Sequence, residues 1–170
     1  MKNRVIQIGL DGSGIDEAIE AVRQIQSDIE TKTAELVERL SEMGMNIASI
    51  RFESAQYDGV KDVDVRVEVR DENCRAVVAT GETALILEFG AGVLHGYGHP
   101  EAAQAGMGPT TYPGQVHAAD PHGWYLPKDV QAVTGRKKSY GNAPSEAMYN
   151  AAKSLETVFE RTVREVFGSA

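Results

Sequence analysis

A seven-residue apolar repeat constrains this chain more than any other feature. Ile15, Val22, Ile29, Leu36 and Met43 recur at that interval, and Ile19, Ile25 and Leu40 widen the stripe. Such spacing puts every apolar side chain on one face of a helix with about 3.6 residues per turn. Ser13 is placed to cap its start, and Asp16 and Glu17 suit its positive N-terminal end. Gly44 is the expected stop. The opposite face is acidic, with Glu20, Asp28, Glu30, Glu35, Glu38 and Glu42. Such a face is most often simply solvated.

A helix with one apolar face needs a second layer to cover it. Ahead of it, Arg4 to Leu10 reads as a short strand. Behind it, from Asn46, the period changes to two. Ile47, Ile50 and Phe52 lie in a run rich in branched residues, and Tyr57-Asp58-Gly59-Val60 is a hairpin signal. Val63, Val65, Val67 and Val69 alternate with Asp64, Arg66, Glu68 and Arg70, the pattern of a strand with one wet face. After Asp71-Glu72-Asn73 the chain returns through Cys74 to Thr80. The expected architecture is α+β: a long N-terminal helix packed on an antiparallel meander.

Thr83 to Phe89 is too short for periodicity to separate helix from strand. Beyond it the texture changes. Ten of the 17 glycines and five of the six prolines lie between Gly90 and Asn142. This stretch reads as an extended arm with a small hairpin around Trp124 and Tyr125, because a long aperiodic loop is uncommon inside a compact domain. It also holds Leu94, Met107, Val116, Leu126 and four tyrosines, so it is expected to order against its own domain, a sister subunit or another protein. Pro144 marks the approach to a closing amphipathic helix that carries Met148, Ala151, Leu155, Phe159, Val163 and Phe167. A single domain spanning 1–170 follows, with a core of 1–90 and 142–170 and an arm of 91–141.

The chain has 170 residues, enough for one core, and a formal net charge of −8. That balance argues against a general binder of nucleic acid or anionic membranes, which needs clustered Lys and Arg. One cysteine, Cys74, excludes an intramolecular disulfide, so folding in a reducing cytosol is expected. Cys74 itself reads as a passive strand residue. The apolar run at Met1 to Ile8 is too short for a signal peptide, and no stretch has the length of a membrane span.

Candidate chemistry is sparse. All four histidines, His95, His99, His117 and His122, fall in the arm, with Asp120 beside the last. His95 and His99 have the spacing that pairs two imidazoles on a helix face, but Gly96 and Gly98 oppose a helix there, and Gly96 stands where a zincin has Glu. Gly9 to Gly14 has the position of a phosphate loop but no Lys-Ser/Thr pair. Glu82 and Glu88 lack a nucleophile and base at readable spacing. Glu88 is expected instead to anchor the glycine turn that follows it. Lys128, Arg136, Lys137 and Lys138 form the basic cluster, suited to an acidic neighbour surface or to passing DNA. No cofactor and no metal ligand set is expected.

Several motifs, taken in order, carry a resemblance: Ala84-x-x-x-Glu88-Phe89-Gly90, continuing to Ala91-Gly92, then Trp124-Tyr125, then Gly141-Asn142-Ala143, then Met148-Tyr149-Asn150-Ala151. The chain resembles the tail-completion or neck proteins of long-tailed bacteriophages, the head–tail joining or minor tail proteins. The fuller likeness is to variants from phages of low-GC Gram-positive hosts, and it spans most of the chain. Thr134-Gly135-Arg136-Lys137-Lys138-Ser139-Tyr140, ahead of Gly141, departs from the pattern.

The resemblance implies a non-enzymatic virion component, assembled in the host cytoplasm as a homo-oligomeric ring around the DNA channel. Its partners would be head connector or adaptor proteins and tail terminator or tail-tube proteins, with DNA passing unread. Phe89, Gly90, His95, His99, Trp124, Tyr125, Lys137 and Lys138 are the expected subunit or partner contacts. The rival readings are a small metal-dependent hydrolase using His95, His99, Asp120 and His122, and a monomeric binding module.

Overall fold

The computed structural model describes residues 12–55, 61–108, 119–125, 135 and 138–168. The expected strand at 4–10, the Gly9 to Asp11 part of the glycine turn and the hairpin signal at 57–60 lie outside the described residues. The architecture is α+β, with a long N-terminal helix packed on a two-stranded antiparallel sheet and a C-terminal helix.

Helix α1 runs Gly12–Ser54, and Ser13 sits inside its first turn rather than ahead of it. The expected stop at Gly44 and the expected strand from Asn46 are both overturned. Gly44 is buried mid-helix, where it lets α1 pass close to two neighbours. A Cβ there would lie 3.1 Å from Leu155 Cδ1 and 3.4 Å from Val77 Cγ2. The apparent period of two at Ile47, Ile50 and Phe52 came from a short run. The buried residues instead fall at Ser41, Gly44, Ala48 and Phe52, a helical face, while Ile50 is exposed. Packing along that face overrides the strand preference of the branched residues.

The meander is therefore a hairpin. Strands β1 (Asp64–Asp71) and β2 (Cys74–Thr80) pair antiparallel, with Asp64 opposite Thr80 and Val67 opposite Val77. A register irregularity between Val69 and Asp71 precedes the turn, which is braced by the Asn73 N–H donating to Asp71 Oδ1 at 2.8 Å. Val63, Val65 and Val67 are half-buried, as the alternation requires, but Val69 at the tip is exposed. Cys74 is exposed rather than packed.

The ambiguous segment resolves as a short helix, α2 (Ala84–Phe89). Its start is tied down by Asp62, whose carboxylate accepts from the Thr83 hydroxyl and, at 3.2 Å, from the Thr83 N–H. Leu87 of α2, Phe52 of α1 and Ala147 of helix α3 (Ala147–Gly168) form the core, with Val63, Val65, Ala79 and Met148 packed around them. As α1 runs back from Phe52 to Gly44, α3 runs forward from Ala147 to Leu155, so the two helices are antiparallel. At equal rise the end of α3 lies level with about residue 31 of α1. The continuous run of buried and half-buried positions along α1 accordingly begins at Lys32, with Gly14 buried and Ala18, Ala21, Ile25 and Asp28 half-buried before it. Among the described residues no helix is long and apolar enough to cross a membrane.

Candidate functional site: a buried carboxylate–imidazole clasp

Helix α3 has no acidic residue in its first turn to meet its unpaired backbone N–H groups. Glu88, from the end of α2, supplies one from 60 residues away. Its Oε2 accepts from the Met148 N–H at 2.9 Å and its Oε1 from the Tyr149 N–H at 3.0 Å. The carboxylate thus sits at the positive end of α3, a favoured place for an anion. Backbone bonds fix the approach, with Ser145 N–H donating to Leu87 O at 2.8 Å and Glu146 N–H to Glu88 O at 3.3 Å. Glu146 turns the chain into α3 at φ 51°, an unusual conformation for a residue other than glycine. The expectation that Glu88 anchors the glycine turn is corrected here: its carboxylate holds a helix start.

His99 closes the other side. Its Nε2 lies 3.3 Å from Glu88 Oε1, and its Nδ1 accepts from the Glu101 N–H at 3.1 Å. Nδ1 is therefore the acceptor nitrogen, and Nε2 carries the proton that points at Glu88. The ring is held between Phe89, with centroids 4.4 Å apart, and Tyr149, 5.6 Å away and edge-on. The side chains of His99 and Glu88 are 2% and 8% exposed. Lys153 stands over the Tyr149 ring at 5.9 Å. Lys153 donates to the Glu156 carboxylate, and this hydrogen bond, reinforced by the carboxylate's charge, holds the ammonium above its ordinary pKa.

Glycines bring the following segment within reach. Gly90 takes φ +81°, and a Cβ there would fall 2.8 Å from Pro144 N and 2.9 Å from Gly96 Cα. Gly141, at φ +89°, abuts the carbonyl of Ala91. Between them Ala91 and Asn142 exchange two backbone hydrogen bonds, of 2.9 and 3.0 Å. Further out Trp124 and Ser139 do the same, at 2.9 and 2.8 Å, and Ser139 is fully buried. Asn142 donates a side-chain N–H to Ile86 O at 3.2 Å, which returns the bridge to α2. Asn142 and Ser145 also line a cleft of about 410 Å³ beside Arg51. Asn142 Oδ1 and Ser145 Oγ are buried with no partner among the described residues, polar groups of the kind that ordered water satisfies.

Of the residues singled out from sequence, Phe89, Gly90 and His99 come together in the clasp. His95 is exposed and apart from His99's partners. His122 and Asp120 share a local turn, in which the His122 N–H donates to Asp120 Oδ1 at 2.8 Å. Among the described residues no group of three His, Cys, Asp or Glu is placed to hold a metal. Trp124 is half-buried and Tyr125 is 73% exposed. Lys138 lies over the rings of Tyr125 and Tyr140, at 6.0 and 5.7 Å. Lys137, Lys128, Arg136 and His117 lie outside the described residues. Glu82 is exposed and takes no part. The reading from sequence missed Tyr149, Asn142 and Ser139. One signal for the clasp was present: Glu88 is the lone charge within the apolar segment Ala84 to Phe89.

Every hydrogen-bonding atom of the Glu88–His99 pair is engaged within the chain, and the pair is closed from solvent. The arrangement can fix a helix start and seat a loop. The chain matches no protein-family model, and comparison with curated proteins and with solved structures gives no significant match.

Proposed function

We propose that this chain is a virion structural protein of the phage neck, which oligomerises at the head–tail junction to complete or join the tail. The observation that carries the reading is the exposed aromatic and basic surface at the outer end of the 91–141 segment. Tyr125 and Tyr140 stand in solvent with Lys138 over both rings, and Tyr97 and Leu94 are exposed nearer the clasp. Tyrosine gives large contact area at small entropic cost, and such residues are enriched where proteins meet. Motifs of the resemblance bracket the same segment, Glu88-Phe89-Gly90 before it and Gly141-Asn142-Ala143 at its end. Among the described residues the buried acid–base pair, Glu88 and His99, has a structural role, which favours assembly over chemistry.

On this reading neighbouring copies and the adjoining connector or tail proteins meet Tyr125, Lys138 and Tyr140. The acidic balance of the chain suits a channel through which DNA slides. The protein is made and assembled in the host cytoplasm and ends in the virion. The test is negative-stain microscopy of particles assembled without the protein, and with a Tyr125→Ala, Lys138→Ala, Tyr140→Ala variant. Heads and tails that fail to join in both cases support the role. Normal joined virions in the absence of the protein overturn it.

A further inference from the structure

The N-terminal half of α1 runs past the end of α3. Residues 12–31 continue the helix for about 30 Å at 1.5 Å per residue. They keep the apolar face that Leu36, Met43 and Gly44 turn toward the rest of the fold. From Ile15 onward no described element packs over that face: Ile15, Ile19, Val22 and Ile29 are all close to half exposed or more, Ile25 is half-buried, and Gly14 ahead of them is buried. Isolated exposed aliphatics are ordinary, but a row of them along one helix face marks a contact surface.

Two features identify the occupant. The row Ile15, Ile19, Val22, Ile25, Ile29 has spacings of 4, 3, 3 and 4, which read the same in both directions about Val22. A second copy laid antiparallel across the first therefore sets Val22 on Val22, Ile19 on Ile25 and Ile15 on Ile29. That is the self-complementarity an isologous two-fold contact requires. The charges agree. At about 100° per residue the row spans roughly 120° of the helix, and Asp16, Glu17, Glu20 and Asp28 fall on the far side. In an antiparallel pair the acidic faces point away from each other. They are separated by about two helix diameters, ~20 Å, which is beyond the screening length of ordinary buffer.

We infer that two copies of the free chain pair antiparallel through this row, with Val22 on the two-fold axis. The row continues the seam that α1 makes with α3 inside each subunit, so the pair extends an existing layer. Its area is small, set by one face of a 20-residue overhang, and falls short of the roughly 1,200 Å² of a standard interface. The pair is correspondingly weak and concentration-dependent. It goes beyond the neck reading and stands independently of it.

The test uses the full chain with Cys74→Ser, so that introduced thiols are the only ones. Sedimentation velocity over a wide concentration range is expected to show a monomer–dimer equilibrium. Val22→Asp places two like charges on the axis and raises the dissociation constant by about a hundredfold or more. Its circular dichroism stays unchanged, because the site is exposed in the monomer. Mild oxidation then reads the register. Val22→Cys crosslinks to itself. Ile15→Cys and Ile29→Cys crosslink when mixed, and neither does so alone. A chain that stays monomeric at every concentration overturns the inference. So does an Ile29→Cys variant that crosslinks to itself as readily as Val22→Cys.

Discussion

Truncating Glu88 to alanine tests the central claim about the clasp. The carboxylate accepts the Met148 and Tyr149 N–H groups at 2.9 and 3.0 Å and faces His99 Nε2 at 3.3 Å. Each hydrogen bond to a charged group contributes about 1.5–3 kcal/mol, so three of them give a gross loss of roughly 4.5–9 kcal/mol. Met148 and Tyr149 are only half-buried, and water entering the vacated space restores part of this. The net loss expected is about 3–5 kcal/mol, a large share of the ~5–15 kcal/mol that holds a domain folded. At about 2–4 °C per kcal/mol for a chain of this size, the melting temperature falls by roughly 6–20 °C. Glu88→Gln keeps the shape and one acceptor oxygen but sets an amide N–H₂ against a backbone donor. It should cost about half as much. Glu72→Ala, on the exposed hairpin turn, is the control and should stay within about 0.5 kcal/mol. Urea unfolding followed by circular dichroism gives all three values, and hydrogen exchange at Met148 and Tyr149 reports the helix start directly. A Glu88→Ala protein within about 1 kcal/mol of wild type would mean that α3 does not depend on this carboxylate, and the account of the site would fail.

Substitutions at four further sites probe the fold around the clasp and its core. Gly141→Ala drives a Cβ into the Ala91 carbonyl at φ +89° and should cost about 3 kcal/mol or more. Gly98→Ala, at φ +117° with open space around it, carries only the backbone term of about 1–3 kcal/mol, and equal urea midpoints for the two would refute the close approach. Gly44→Val overpacks the crossing of α1, α3 and β2 and should cost about 1–3 kcal/mol, while Gly44→Ala stays within about 1 kcal/mol as helix propensity offsets the 3.1 Å contact. A neutral Gly44→Val variant would show that α1 and α3 do not approach there. Phe52→Ala, 4% exposed at the centre of the core, should cost about 3–5 kcal/mol by thermal unfolding, and a loss under 1 kcal/mol would be incompatible with Phe52 inside a helix facing Leu87.

The α+β class, the long helix and the closing helix were legible because their apolar residues repeat at helical spacing over many turns. Such a signal survives local noise. The hairpin from Asp64 to Thr80 was legible for the analogous reason, with four valines alternating against charges. Errors fell where the pattern was short. Ile47, Ile50 and Phe52 span too few residues to separate a strand from a helix, and Gly44 reads as a stop unless one knows that Leu155 crosses it. That crossing joins residues 111 positions apart. The clasp was hidden for the same reason. Nothing beside Glu88 announces that its carboxylate will meet Met148 and Tyr149, and His99 read as a subunit or partner contact because its burial is conferred by Phe89 and Tyr149 of its own chain.

The glycines from 90 to 141 look like a sign of looseness, yet several of them allow contact. Gly90, Gly96 and Gly141 have backbone or neighbour atoms within 3 Å of where a Cβ would stand, so a side chain at any of them would force the strands of this segment apart. Contacts follow one another outward from the core: Glu88 holds the start of α3, Ala91 pairs with Asn142, and Trp124 pairs with Ser139. Tyr125, Lys138 and Tyr140 flank that last pair. If these residues meet a partner, they meet it from a base already fixed to the core, and less ordering entropy is lost on binding than for a free loop. Loosening the clasp should then weaken association without removing a single contact residue. Glu88→Gln, partly destabilised but folded, is the variant in which that coupling can be measured. Weaker association alongside intact Tyr125, Lys138 and Tyr140 would tie the buried pair to the exposed surface, and unchanged association would separate them.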